Sequence, residues 1–367
     1  MFGRVGVMLG RAMRHRFLTI QYLRGLAAML VLASHALLYP LIGEHLGYGR
    51  LGWLGVILFF VISGFIMVVV TGETAFSARD FLRRRFIRVV PMYWLATLLA
   101  AALALMAPQV FKTTVYDGTE LVLSLLFIPF YNAASQGLHP LYKLGWTLNY
   151  EMFFYLSFAL LGFLRVGSRV IWLTLGFASL AGLGLILQPQ AAIPQFYTSF
   201  MPLAFCAGAW LGLATLRGTL GRLSKPVSAI IAVIGLLALI EGFAWDRHLV
   251  EDGGAFVGLL VFAAALVLLA VRFEPQLPRL NLFEALGDAS YSIYLSHIYV
   301  VAILSGIAFR LLDPGNLLVD LLIAGLTIAG GLGLGLLLYR RVEQPMLALV
   351  SGLLGGRRKP PIPAPAQ

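Results

Sequence analysis

The chain has 367 residues, 60% of them apolar and only 12% charged, against roughly 45–50% apolar in soluble domains. So little polar surface excludes a water-soluble globule of this size, and the apolar excess has to face lipid. The net charge of +11 would suggest nucleic acid in a soluble protein, but in a membrane protein it is first an orientation signal, and no nucleic-acid partner is expected.

Arg4, Arg11, Arg14 and Arg16 precede an apolar run over 22–42. That run is long enough to span and is followed by others, so it reads as a retained anchor rather than a cleaved leader. Further runs near the ~20 residues a bilayer demands lie at 51–70, 89–107, 146–164, 170–188, 197–216, 227–245, 254–271, 290–312 and 317–339. An eleventh, Leu121 to Phe130, is too short to cross and ends at Pro129, which fits a re-entrant or interfacial helix. The expected fold is all-α: a polytopic bundle of about ten transmembrane helices plus that short one.

Charge tests this topology. With both ends in the cytoplasm, 21 of the 27 Lys and Arg fall inside and 5 outside, with Arg24 within the first span. Were the short stretch a crossing, 12 later positive charges would move outside, against the positive-inside rule. The expected organisation is a basic cytoplasmic segment over 1–21, a membrane domain over 22–346 and a disordered basic, Pro-rich tail over 347–367.

A charge near the bilayer centre costs about 2.5–3.5 kcal/mol, so each intramembrane ionisable group needs a reason. Arg24 and His35 are eleven residues apart, which at 100° per residue puts them on one face of a helix, about 16 Å apart along the axis. Glu151 enters the fourth span five residues after Trp146, at a depth comparable to that of His35, and a carboxylate beside an imidazole holds it as a base. A purely structural pair is the alternative. Arg83, Arg84, Arg85 and Arg88 crowd the cytoplasmic entrance of the third span; Arg85 and Arg88, at i and i+3, fit a clamp for a polyphosphorylated ligand, or equally anionic headgroups. Ser290, Tyr294 and His297 form one stripe of hydrogen-bonding groups on the ninth span. Ser63 and Gly64 within FFVISGF favour close helix approach. The lone Cys206 excludes an intrachain disulfide, and no motif has metal spacing, so no metal is expected.

Several of these stretches, in order, resemble the bacterial acyltransferase-3 family of membrane O-acyltransferases, most closely its exopolysaccharide O-acetyltransferase branch. They are LRGLAAMLVLASHA, FFVISGFIM, FLRRRFIRVVPMYW, LGWTLNYEMFFY, GDASYSIYLSH and RVEQP, spread over residues 20 to 346. The resemblance implies transfer of an acyl group, typically acetyl from cytoplasmic acetyl-CoA, to a hydroxyl of a cell-surface or lipid-linked glycan, in the bacterial inner membrane and within reach of glycan-synthesis machinery. Carried onto this chain, the family's essential Arg and His are Arg24 and His35, its Arg pair is Arg85 and Arg88 with Arg84 beside them, and its Trp and Glu are Trp146 and Glu151. His297 falls in a family motif without a clear role.

The expected chemistry is general-base catalysis by His35, with Asn149, Tyr150, Tyr294 and backbone amides as candidate oxyanion donors. Rival readings are a transporter or flippase for a lipid-linked glycan, with His and Glu as a proton relay, and a structural subunit of a glycan-synthesis complex. The transporter would favour inverted repeats and broken paired helices, which the sequence does not display.

Overall fold

A computed structural model describes residues 17–38, 47–107, 114–244, 253–311 and 316–354. The basic segment before Phe17 and most of the Pro-rich tail, from 355, lie outside the described residues. The described residues form a helical bundle in which eight helices are long and apolar enough to cross a membrane. This is a multi-pass membrane protein.

Each expected apolar run contains a helix, but two are shorter than a bilayer requires. In order these are α1 (Leu18–Leu38), α2 (Gly47–Thr71), α3 (Ala78–Met106), the short α4 (Gly118–Leu125), α5 (Trp146–Leu160) and α6 (Val166–Leu187). After them come α7 (Ala192–Tyr197), α8 (Leu203–Leu216), α9 (Lys225–Ala244), α10 (Gly253–Phe273), α11 (Asn281–Asp288), α12 (Ser290–Leu311), α13 (Leu317–Leu338) and α14 (Gln344–Leu353). With 15 and 14 residues, α5 and α8 reach only about 22 Å each. Irregular backbone at their ends is tolerated because other parts of the protein satisfy it. The Thr147 hydroxyl donates to the Leu144 carbonyl at 3.1 Å, and the Tyr150 hydroxyl to the Phe196 carbonyl at 3.0 Å. The eleventh stretch forms α4, whose 8 residues cannot cross; Asp117 caps it by accepting from the Glu120 amide at 2.8 Å. The segment expected to be a disordered tail from 347 is helical through Leu353.

Burial separates centre from periphery. Of the most apolar stretch of α2, 67% is buried, against 17% for α9, so α2 is enclosed by protein while α9 faces lipid. The enclosure depends on glycine. A Cβ on Gly208 of α8 would lie 1.8 Å from the Val61 carbonyl oxygen, and one on Gly64 of α2 would lie 2.0 Å from that of Phe205. The two backbones touch, as the small residues of FFVISGF suggest. Gly208→Ala is expected to cost at least about 1–3 kcal/mol through overpacking, read as a lower midpoint of thermal unfolding in detergent. An unchanged midpoint would show that the two helices can separate freely.

The third helix starts eleven residues before its apolar run, at Ala78, with Ser77 as its N-cap. Its 29 residues span about 44 Å, so the arginine cluster sits on a helical extension beyond the apolar part. That end of the bundle is called here the arginine end. It is further pinned by Arg169, fully buried, which donates to the carbonyls of Thr74 and Leu164 at 2.9 and 2.7 Å and stacks 4.5 Å over the Phe76 ring.

Candidate active site

A cavity of about 170 Å³ opens among α1, α2, α3, α5 and α12, lined by Arg24, Arg85, Arg88, Glu151, Ser63 and Ser290, with Phe59, Thr147 and Tyr294 at its inner wall. Three guanidinium groups against one carboxylate make it electropositive. Arg85 and Arg88 reach it from one side of α3, at the expected i, i+3 spacing, while Arg84 is exposed on the surface and does not line it.

The three arginines are held differently. Arg24 donates to the Gln21 side-chain oxygen at 3.4 Å. The Arg85 guanidinium lies 5.8 Å from the Phe81 ring centroid and 5.9 Å from that of Tyr155, and its buried Nε has no hydrogen-bond partner. A buried donor without an acceptor is costly unless a ligand supplies one. The fully buried Ser290 hydroxyl, also on the cavity wall, is unpaired in the same way. Arg88 forms an ion pair with Glu343 and lies 5.7 Å from the Tyr291 ring centroid. Glu343 is itself fully buried and accepts a second bond from the Ser292 hydroxyl at 2.5 Å.

Glu343 does not stand out in the sequence, where it reads as the end of a charged RVE run. The structure explains why. Tyr339–Glu343 is π-helical, between α13 and α14. The wider turn breaks the α-helical register, and Glu343, its last residue, is buried in the protein. A 3.6-residue period gives no hint of this, and the signals in the sequence were the acidic residue two positions after Arg341 at a span end and its place in the RVEQP stretch.

Glu151 faces the cavity, where the Ser63 hydroxyl donates to it at 3.4 Å and the Tyr155 hydroxyl donates to the same oxygen. The expected pairing of Glu151 with His35 is not formed. Equal depth with His35 requires α5 to begin at the membrane surface, whereas Trp146 opens it after a turn already buried within the bundle. Equal depth also says nothing about which way each helix face points.

His35 pairs instead with His297. The His297 Nε2 lies 3.4 Å from the His35 Nδ1, and the ring centroids are 5.1 Å apart. The His35 Nδ1 is 2.9 Å from the Val31 carbonyl, and the His297 Nδ1 is 2.8 Å from that of Tyr294 and 3.2 Å from that of Ile293. His297 is fully buried and His35 half-buried. Neither ring lines the cavity. They lie one helical turn beyond Tyr294, whose hydroxyl is 2.7 Å from that of Thr147 and donates to the Leu144 carbonyl at 3.0 Å. Tyr294 is thus the partition between the guanidinium-lined cavity and the imidazole pair.

Of the remaining expected residues, Trp146 is half-buried with its ring centroid 5.1 Å from that of Trp53. Asn149 is buried, and its side-chain carbonyl oxygen has no partner. Among the described residues no group of three or more His, Cys, Asp and Glu is placed to hold a metal ion.

A membrane bundle holding an arginine-lined cavity and, behind one tyrosine, a pair of neutral-capable imidazoles has the parts of an intramembrane group-transfer enzyme. The acyltransferase-3 family model, described as an acyltransferase domain, matches residues 17–340, and the chain belongs to that family. It is 32% identical over 303 residues, 81% of this chain and 90% of the relative, to the exopolysaccharide production protein ExoZ of Rhizobium meliloti (strain 1021). No solved structure matches. The protein is therefore a membrane-embedded O-acyltransferase.

Proposed function

We propose that this acyltransferase moves an acetyl group from acetyl-CoA in the cytoplasm to a hydroxyl of an exopolysaccharide or its lipid-linked precursor. The bundle would lie in the bacterial inner membrane with both termini cytoplasmic and the arginine end inward, as the distribution of Lys and Arg favours. The observation that carries the reading is the shared Tyr294 wall, with guanidinium groups on one side and a two-imidazole pair on the other. The acceptor class is supported by the relative's name, which concerns exopolysaccharide production.

At about 170 Å³ the cavity is smaller than the roughly 300–1,000 Å³ usual for drug-sized ligands, so it takes one part of acetyl-CoA rather than the whole. Phosphate oxygens would supply the acceptors that Arg85 lacks, and the thioester arm would pass Tyr294 to reach His35. His35 then takes the proton from the sugar hydroxyl as its oxygen attacks the thioester carbonyl. The C–S bond breaks, and the proton goes to the departing thiolate. Asn149, through its side-chain NH2, remains the side-chain candidate for stabilising the oxyanion, whereas the Tyr150 and Tyr294 hydroxyls already donate to the Phe196 and Leu144 carbonyls.

Labelled acetyl-CoA added to purified protein tests the donor assignment: CoA release should depend on a glycan acceptor. Arg85→Gln should raise the KM for acetyl-CoA about tenfold, the effect of one charge-assisted bond to phosphate, whereas Arg84→Gln on the surface should leave it within about twofold. Equal effects of the two variants would place the phosphates elsewhere.

A further inference from the structure

We infer that His297 is a positioning residue that holds His35 in the reactive tautomer and supports it, as a neutral acceptor, when it takes a proton. The inference rests on reading His35 as the base. A backbone carbonyl only accepts, so a ring nitrogen at hydrogen-bond distance from one must carry the hydrogen. The His297 Nδ1, facing the carbonyls of Tyr294 and Ile293, is therefore the protonated nitrogen of that ring. Its Nε2 is then a lone pair, and it is this atom that faces the His35 Nδ1.

The His35 Nδ1 faces the Val31 carbonyl at 2.9 Å and so carries a hydrogen as well, shared between that carbonyl and the His297 Nε2 at 3.4 Å. What remains is the His35 Nε2, left as the lone pair able to accept a proton from substrate. The identity of the attacking base is thus fixed to one atom. When that atom is protonated, the positive ring still meets two acceptors on its Nδ1 side, one of them His297.

In soluble acyl-transfer sites the orienting group is often a carboxylate. Here Glu151 and Glu343 are engaged elsewhere: Glu151 accepts from Ser63 and Tyr155, and Glu343 pairs with Arg88 and Ser292. A neutral imidazole costs far less to bury between membrane helices than an ionised carboxylate does. The price is a weaker orienter, which limits the expected effect of removing it.

The test uses the full-length protein in detergent or lipid. His297→Phe keeps an aromatic ring but deletes the acceptor, and should lower kcat about 10- to 100-fold, as loss of an imidazole's orienting partner does, with the KM for acetyl-CoA within about twofold. His297→Gln offers an amide oxygen at the same place and should recover most of the lost kcat. A wild-type kcat in His297→Phe overturns the inference. Equal loss in both folded variants also overturns it, in favour of a direct chemical role for His297. Nitrogen-15 NMR of the unsubstituted protein in lipid reads the tautomers without any substitution. Bare Nε2 atoms on both rings are expected, and a protonated Nε2 on neutral His35 contradicts the assignment. His35→Ala separates the two layers: retained turnover there sinks the base itself, whereas a dead His35→Ala beside a fully active His297→Phe sinks only the positioning role.

Discussion

Glu343→Ala is expected to destabilise the fold by about 3–5 kcal/mol, the cost of leaving a buried charge without its partner. The residue is fully buried and holds both Arg88 and the Ser292 hydroxyl, so its loss orphans a guanidinium and a donor together. It also frees Arg88, on the cavity wall, to turn toward any anion there. Arg88→Ala alone should be comparably harmful, because it leaves the carboxylate unpaired. The double variant Arg88→Met with Glu343→Met should be closer to the native protein in stability than either single alanine variant, since it removes both charges and retains bulk. Denaturation midpoints of the four proteins in one detergent measure this. A double variant less stable than both single variants would show that the two side chains are not coupled.

His35→Ala is the other substitution with a large expected effect, here on rate. Loss of general-base assistance should lower kcat about 10²- to 10⁴-fold, while affinity for acetyl-CoA stays within a few-fold because His35 does not line the arginine cavity. The thermal midpoint should change little, since the ring is half-buried and, of the two acceptors it leaves, the Val31 carbonyl lies within helix α1 and the His297 ring is itself held by the Tyr294 and Ile293 carbonyls. Stopped-assay kinetics on protein of native elution profile reads the first two, and thermal unfolding in the same detergent reads the third. A loss confined to KM would move His35 from the chemistry to the binding of donor.

Apolar run length and charge asymmetry made the helices legible in the sequence, because a bilayer imposes both. The same holds for Arg85 and Arg88, whose common side follows from their spacing, and for Gly64, whose lack of a side chain announces a close approach. Features set by the path of the chain were not legible. Glu343 ends a π-helical turn, where a 3.6-residue period no longer tells which side chains face inward. The partner of His35 is 262 residues away, and hydropathy carries no information on the angle at which two distant helices meet. Glu151 was misplaced for a related reason: a helix that begins inside the bundle shifts its residues along the axis by an amount that composition does not record. Arg84 shows the converse, since its neighbours' sequence context is the same as its own and only the helical phase turns it to the surface.

The central claim is that the donor enters from the arginine end and its acyl group leaves by way of His35. Reconstitution in sealed vesicles of known orientation, with labelled acetyl-CoA supplied to one face at a time and label counted in the glycan, tests it most directly. Transfer should occur only when the donor is on the face bearing Arg83, Arg84, Arg85 and Arg88. Transfer from a donor confined to the opposite face, or no interaction with acetyl-CoA at either, would contradict it.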